Sequence, residues 1–242
     1  MRLALVHACA QLREYLRYPS FSIPTLLFPT MFFVFFVLPN VEGAEANGYL
    51  AGYAVFAVLG IAFFQFGVGI AVERTSPWEH YLRTLPVSVA QRFGARLLTG
   101  LIVAALAASV VIVVGLTATD ASIAASRWPA FLLALLGGAI PLALLGIAIG
   151  YWTSPKGALP IANMLYLSLA FLGGLWTTPA NLPSMLDQVT EVLPTRQWVE
   201  VVIAAVYGLP QAEHWAWLAG FTIVFGALAA WGYRRDEGER FD

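Results

Sequence analysis

The sequence predicts an all-α membrane protein with six transmembrane helices and both termini in the cytoplasm. Two observations carry that class. Of the 242 residues, 60% are hydrophobic and 11% charged, with a mean hydropathy of +0.75, whereas soluble domains average roughly 45–50% and about 25%. The apolar residues also gather into runs near the roughly 20 residues that cross about 30 Å of hydrocarbon as a helix. Lipid offers the backbone no hydrogen-bond partner, so each crossing must satisfy itself, and these runs are too long for barrel strands.

The runs fall at residues 20–39, 49–71, 97–117, 129–152, 158–177 and 214–233. A seventh stretch, Trp198 to Leu209, is short, contains Glu200 and lies between Pro194 and Pro210. It suits a half-crossing better than a span. Pro24 and Pro29 predict a kinked or partly unwound first helix. In the fourth run, Gly146 and Gly150 have the spacing that lets two helices approach closely. Such a pair points to contact between helices within the chain.

Basic residues are retained on the cytoplasmic side of a membrane. With the N-terminus inside, that side holds Arg2, Arg13, Arg17, Arg74, Arg83, Arg92, Arg96, Lys156, Arg234, Arg235 and Arg240. Arg127 and Arg196 alone fall outside, which accounts for all 13 basic residues. The net charge of -1 excludes a basic footprint for nucleic acid. Cys9 is the only cysteine, so the chain carries neither an internal disulfide framework nor a cysteine metal cluster. The charged residues between Arg2 and Arg17 interrupt any secretory-signal core, so this segment is expected to be retained.

The chain divides into an interfacial helix over 1–18 and a six-span domain over 19–242. In the first, Leu5, Cys9, Leu12 and Leu16 share a narrow helical face with Arg2, Arg13 and Arg17 off it. It is either a simple anchor or a contact for a partner. Between the second and third spans, Ser76 can cap a helix, Pro77 suits its first position, Glu79 completes a capping box and Pro86 ends it. Trp78, Leu82 and Leu85 lie on one face of that helix, while Glu79 and Arg83 pair at four apart. The apolar face requires a cover, from the protein's own spans, the membrane surface or a partner.

No span carries an ionisable residue away from its ends, where ion-coupled transporters usually bind protons or sodium. The single lysine stands in Ser154-Pro155-Lys156-Gly157, with no phosphate-cradling glycine loop before it. Any driving force must therefore come from another subunit.

The chain resembles the type-2 permease subunits of ATP-binding-cassette (ABC) exporters. The likeness rests on the amphipathic N-terminal helix, the six spans, Glu73-Arg74 continuing to Leu82 and Leu85-Pro86, and Leu182-Pro183 and Leu193-Pro194 before the final span. Ser76-Pro77 departs from the glycine-containing turn of many members. The resemblance implies a coupling helix over 77–85 that docks on an ABC ATPase, with Glu73, Arg74, Trp78, Glu79, Leu82, Arg83 and Leu85 as coupling residues. It further implies paired re-entrant external helices over 179–210 and a partner permease, identical or related. ATP and Mg would sit on the ATPase, with no cofactor, metal or catalytic residue on this chain.

Spans one, two and five would line the substrate route in a bacterial inner membrane, with Phe28, Phe32, Phe63, Phe64, Gln65, Asn163, Tyr166 and Trp176 as candidates. Core or lipid packing is the alternative for each aromatic residue, and an interhelical hydrogen bond for the two amides. The charge-poor, aromatic spans suit a small amphiphilic, drug-like or lipid-like cargo. Two other functional classes stay open. A rhomboid-like intramembrane protease would need a base at membrane depth, yet His7, His80 and His214 all lie outside spans or at their ends. A structural or signalling subunit that binds an ATPase without moving cargo is the other.

Overall fold

A computed structural model describes residues 17, 19–41, 43–77, 89–177 and 190–238, and every regular element among them is helical. Helix α1 is Pro19–Phe36. Helix α2, Ala46–Ile61, continues through a π-helical segment, Ala62–Val68, into α3, Gly69–Glu73. Helix α4 is Val89–Ala118, α5 is Trp128–Gly137 and α6 is Ile140–Trp152. Helices α7, α8 and α9 are Pro155–Leu172, Pro194–Tyr207 and Ala212–Gly238.

Four helices among the described residues are long and apolar enough to cross a membrane: Ala46–Glu73, Arg96–Ala118, Ala125–Trp152 and Ala212–Glu237. The first and fifth expected crossings fall on α1 and α7, helices of 18 residues each that are not among those four. The first helix runs continuously from Pro19 to Phe36 through Pro24 and Pro29, so the partial unwinding that was one of the two expectations there does not occur. Each proline removes one N–H, a loss that neighbouring groups in a membrane helix can absorb. All but Arg17 of the N-terminal helix expected over 1–18, nearly all of the coupling helix and the first part of the external segment lie outside the described residues.

Burial ranks the helices. In the apolar window of Ala46–Glu73, 72% of residues are buried, against 17% for Ala212–Glu237, so α2 with its continuation into α3 is the central column and α9 a peripheral one. The column packs on α4, α8 and α1 through α2, and on α6 and α7 through its π-helical segment. Gly146 and Gly150 supply the α6 contact, as their spacing predicts. A Cβ on Gly146 would lie 3.0 Å from the Ala62 carbonyl carbon, and one on Gly150 would lie 2.9 Å from the Gly67 oxygen. Helix α9 packs chiefly on α6.

Consecutive apolar helices run antiparallel, as the polar contacts at their ends show. Where α2 begins and α4 finishes, the Gly43 amide donates to the Asp120 carboxylate at 3.0 Å and the Ser122 amide to the Asn47 side chain at 2.8 Å. At the opposite end the last residues of α3, α6 and α9 come together around Arg74. Ser154-Pro155-Lys156-Gly157 is the start of α7, where the Ser154 hydroxyl accepts from the Gly157 amide at 3.2 Å. It is a capped, proline-led helix terminus.

The fourth expected span breaks between α5 and α6. Pro141 has no N–H to continue the ladder back to Gly137, and Gly138 opens a notch that the Trp198 indole fills, leaving a Cβ there only 2.6 Å from Nε1. That nitrogen donates to the carbonyls of Ala134 and Leu135, each at 3.2 Å. Helix α8, expected as a half-crossing, is thereby pinned against α5, and Trp198 is fully buried. We expect Trp198→Phe to cost about 2 kcal/mol through the lost donor and a small void. Thermal unfolding in detergent, followed by size-exclusion fluorescence, would read that loss.

Candidate functional site

Two groups of side chains stand out among the described residues: a polar clasp at one end of the bundle and an aromatic cluster between α1, α2 and α7.

The clasp grows from the Glu73-Arg74 pair that closes the second span. The Arg74 guanidinium forks, with Nη1 pairing with the Asp236 carboxylate and Nη2 donating to the Thr153 carbonyl at 2.8 Å. Glu73 pairs with Arg96, the first residue of the next apolar run. The end of α3 is therefore fastened to α4, to α9 and to the residue between α6 and α7. Aromatic side chains surround the clasp. Tyr151 meets Tyr233 edge-on at 5.5 Å, and Trp152 meets Trp231 at 4.6 Å. The Arg235 guanidinium lies over the Trp152 ring at 5.3 Å. Of the coupling residues expected from sequence, Glu73 and Arg74 are thus engaged within the chain. Trp78, Glu79, Leu82, Arg83 and Leu85 lie outside the described residues.

The aromatic cluster centres on Phe56, which is fully buried. Tyr166 stacks on it at 4.6 Å with the rings 7° from parallel, and Trp176 meets it edge-on at 5.5 Å. Phe28 and Phe32 approach it at 6.3 and 6.2 Å and lie 4.5 Å from each other. Phe64 meets Tyr166 at 5.3 Å from the π-helical segment. Five of the eight candidate pathway residues therefore join one cluster. Its open edge includes Phe28, 38% exposed, and exposed Phe36 and Phe171 join the cluster through Phe32 and Trp176, while Tyr166 is buried with its hydroxyl 3.4 Å from the Phe56 carbonyl.

The other three candidates separate from it. Phe63 is fully buried in the core on another side of the helix. Gln65 keeps its side-chain oxygen buried with no hydrogen-bond partner among the described residues, at the middle of the π-helical segment, a feature frequent at functional sites. Asn163 lies on the outward face of α7, together with exposed Met164, Leu167 and Phe171. Phe56 itself was missed from sequence, although Gly52 and Gly60 flank it at four residues on either side. Both glycines mark close approach: a Cβ on Gly60 would touch the Tyr166 hydroxyl at 3.4 Å, and one on Gly52 would run into the Leu175 backbone.

The family model for the "ABC-2 family transporter protein" matches residues 6–231, nearly the whole chain. The chain belongs to the ABC-2 transporter family. It is also similar to the Bacillus subtilis (strain 168) protein named "Putative transport permease YvfS", with 28% identity over 192 residues, 77% of this chain and 78% of that protein. An ABC-2 membrane transport component accounts for the apolar helices and for the absence of a nucleotide-cradling motif from its sequence. The clasp and the aromatic cluster are thus features of a transport protein.

Proposed function

We propose that this ABC-2 protein is the six-span permease subunit of an ATP-driven exporter in a bacterial inner membrane, with both termini in the cytoplasm. The observation that carries the reading is the doubly fastened base of the connection after span two, Glu73 to Arg96 and Arg74 to Asp236. A segment that transmits force from an ATPase needs such rigid attachment. The helix over 77–85 docks the ATPase by Trp78, Leu82 and Leu85, the helix over 1–18 lies at the surface near it, and 179–210 closes the outer end. ATP and Mg bind on the ATPase.

Basic residues favour the clasp end, with Arg74, Arg96, Lys156, Arg234 and Arg235 there against Arg127 and Arg196 at the other, which supports a cytoplasmic clasp. At 1.5 Å per residue, 18-residue helices such as α1 and α7 reach about 27 Å, close to the thickness of a bilayer core. The outward face of α7, with Asn163 among apolar neighbours, suits a second permease copy or a related chain better than lipid, where a lone amide is costly. A small amphiphilic cargo passes between the two permeases by alternating access, in contact with the aromatic cluster.

Co-expression with the ATPase tests the reading. The purified chain alone should not hydrolyse ATP, and the complex should hydrolyse it and move a fluorescent amphiphile in sealed vesicles. Trp78→Ala with Leu82→Ala should weaken ATPase docking by about 700-fold, the loss expected when two central anchors of about 2 kcal/mol each leave an interface, and nucleotide-driven transport should fall with it. ATP binding or transport by the chain without any ATPase would overturn the reading, as would full transport by the double variant.

A further inference from the structure

Asp236 stands at an unfavourable place for a carboxylate. It lies near the C-terminal end of α9, where the helix dipole favours cations, and it is only 5% exposed. Its neighbours Arg234 and Arg235 follow the dipole rule and are exposed. A buried charge costs several kcal/mol unless it is paired, and Arg74 supplies such a pairing for Asp236. Arg74 in turn spends its planar fork on two different elements, the α9 carboxylate and the Thr153 carbonyl in the extended residue between α6 and α7. A lysine could not hold both at once with fixed geometry. The Glu73–Arg96 pair nearby has a half-exposed carboxylate and is correspondingly more screened.

Resting on the exporter reading above, we propose that Asp236 is a positioning residue. By holding Arg74 against the Thr153 carbonyl, it makes the connection after span two, the α6–α7 turn and the end of α9 move as one body when the ATPase engages. The last helix, far in sequence from the docking segment, thereby receives the ATPase motion directly. Nucleotide binding inside the cell then shifts the outer end of α9.

The test uses the full chain with Cys9 replaced by serine, so that introduced cysteines are unique. In the permease alone in nanodiscs, a nitroxide at Thr75 should become more mobile in Asp236→Asn, while Asp236→Glu, which keeps the charge, should preserve the parent spectrum. In the complex with its ATPase, a cysteine at the exposed outer residue Glu213 is labelled with a charged maleimide, with and without ATP, Mg and vanadate. The parent should show a nucleotide-dependent labelling rate. Asp236→Asn should retain equal ATPase by mass and lose about fivefold or more of that response, the scale of a typical coupling energy. Asp236→Glu should keep most of it.

An unchanged nitroxide spectrum or a full nucleotide response in Asp236→Asn overturns the inference and leaves the exporter reading intact. A parent chain that retains no ATPase overturns the exporter reading and the inference with it. Should Asp236→Asn fail to fold, Arg74→Lys, which keeps the charge and gives up the fork, enters the same two measurements, and parent-like behaviour there overturns the inference.

Discussion

Gly146→Val should leave little folded protein after detergent extraction. The cause is geometric. Gly146 on α6 faces the backbone of the π-helical segment, so a Cβ there would drive into the Ala62 carbonyl and come within 3.5 Å of the Gly67 nitrogen. Backbone atoms cannot rotate away as side chains do, and α6 must move off the central column. The glycine four residues on, Gly150, meets Ile70 and the Gly67 oxygen, so the whole seam opens together. Overpacking at such a seam costs about 3 kcal/mol or more, a large part of the stability of a typical domain. Gly220 on α9, where a Cβ would meet nothing within 4 Å, supplies the control. Gly220→Val should extract and run as the parent does, and equal behaviour of the two variants would show that the seam is not what holds α6.

That seam was legible in the sequence because a glycine pair at four-residue spacing lets a neighbouring helix approach closely. The all-helical class was legible for a similar reason, since hydrocarbon leaves the backbone few alternatives. The π-helical segment was not. Its residues, Ala62 to Val68, read as one more stretch of an apolar run, and the wider turn arises where α6 and α7 both press on the column. Nor was the clasp. Glu73 and Arg74 stood out as neighbours of the coupling segment, but their partners are Arg96, 23 positions on, and Asp236, 162 positions on. Nothing local to Asp236 announces a buried pair. What could have raised it is the mismatch between a carboxylate and the C-terminal end of a helix. The break at Gly138 belongs to the same class, because its stabilising partner, Trp198, lies on a different helix.

In the aromatic cluster, stability and transport should respond to different residues. Phe56 touches five other rings, those of Phe28, Phe32, Tyr53, Tyr166 and Trp176, and is fully buried. Phe56→Ala should therefore cost about 3–5 kcal/mol, the range for deleting a buried ring. Phe56→Leu, closer in volume, should recover most of that and lose only the ring–ring part, of about 1 kcal/mol per good pair. Phe28 sits at the open edge, 38% exposed, where truncation removes less buried surface. Phe28→Ala should lower stability by about 1 kcal/mol. If cargo passes along this edge, it should nonetheless change transport of an aromatic amphiphile more than Phe56→Leu does. Melting curves and vesicle uptake measured on the same preparations separate the two effects. Parallel losses in both assays across the three variants would mean that the cluster is packing alone. A Phe28→Ala variant that melts near the parent yet prefers a different amphiphile would identify the edge as the surface that cargo meets.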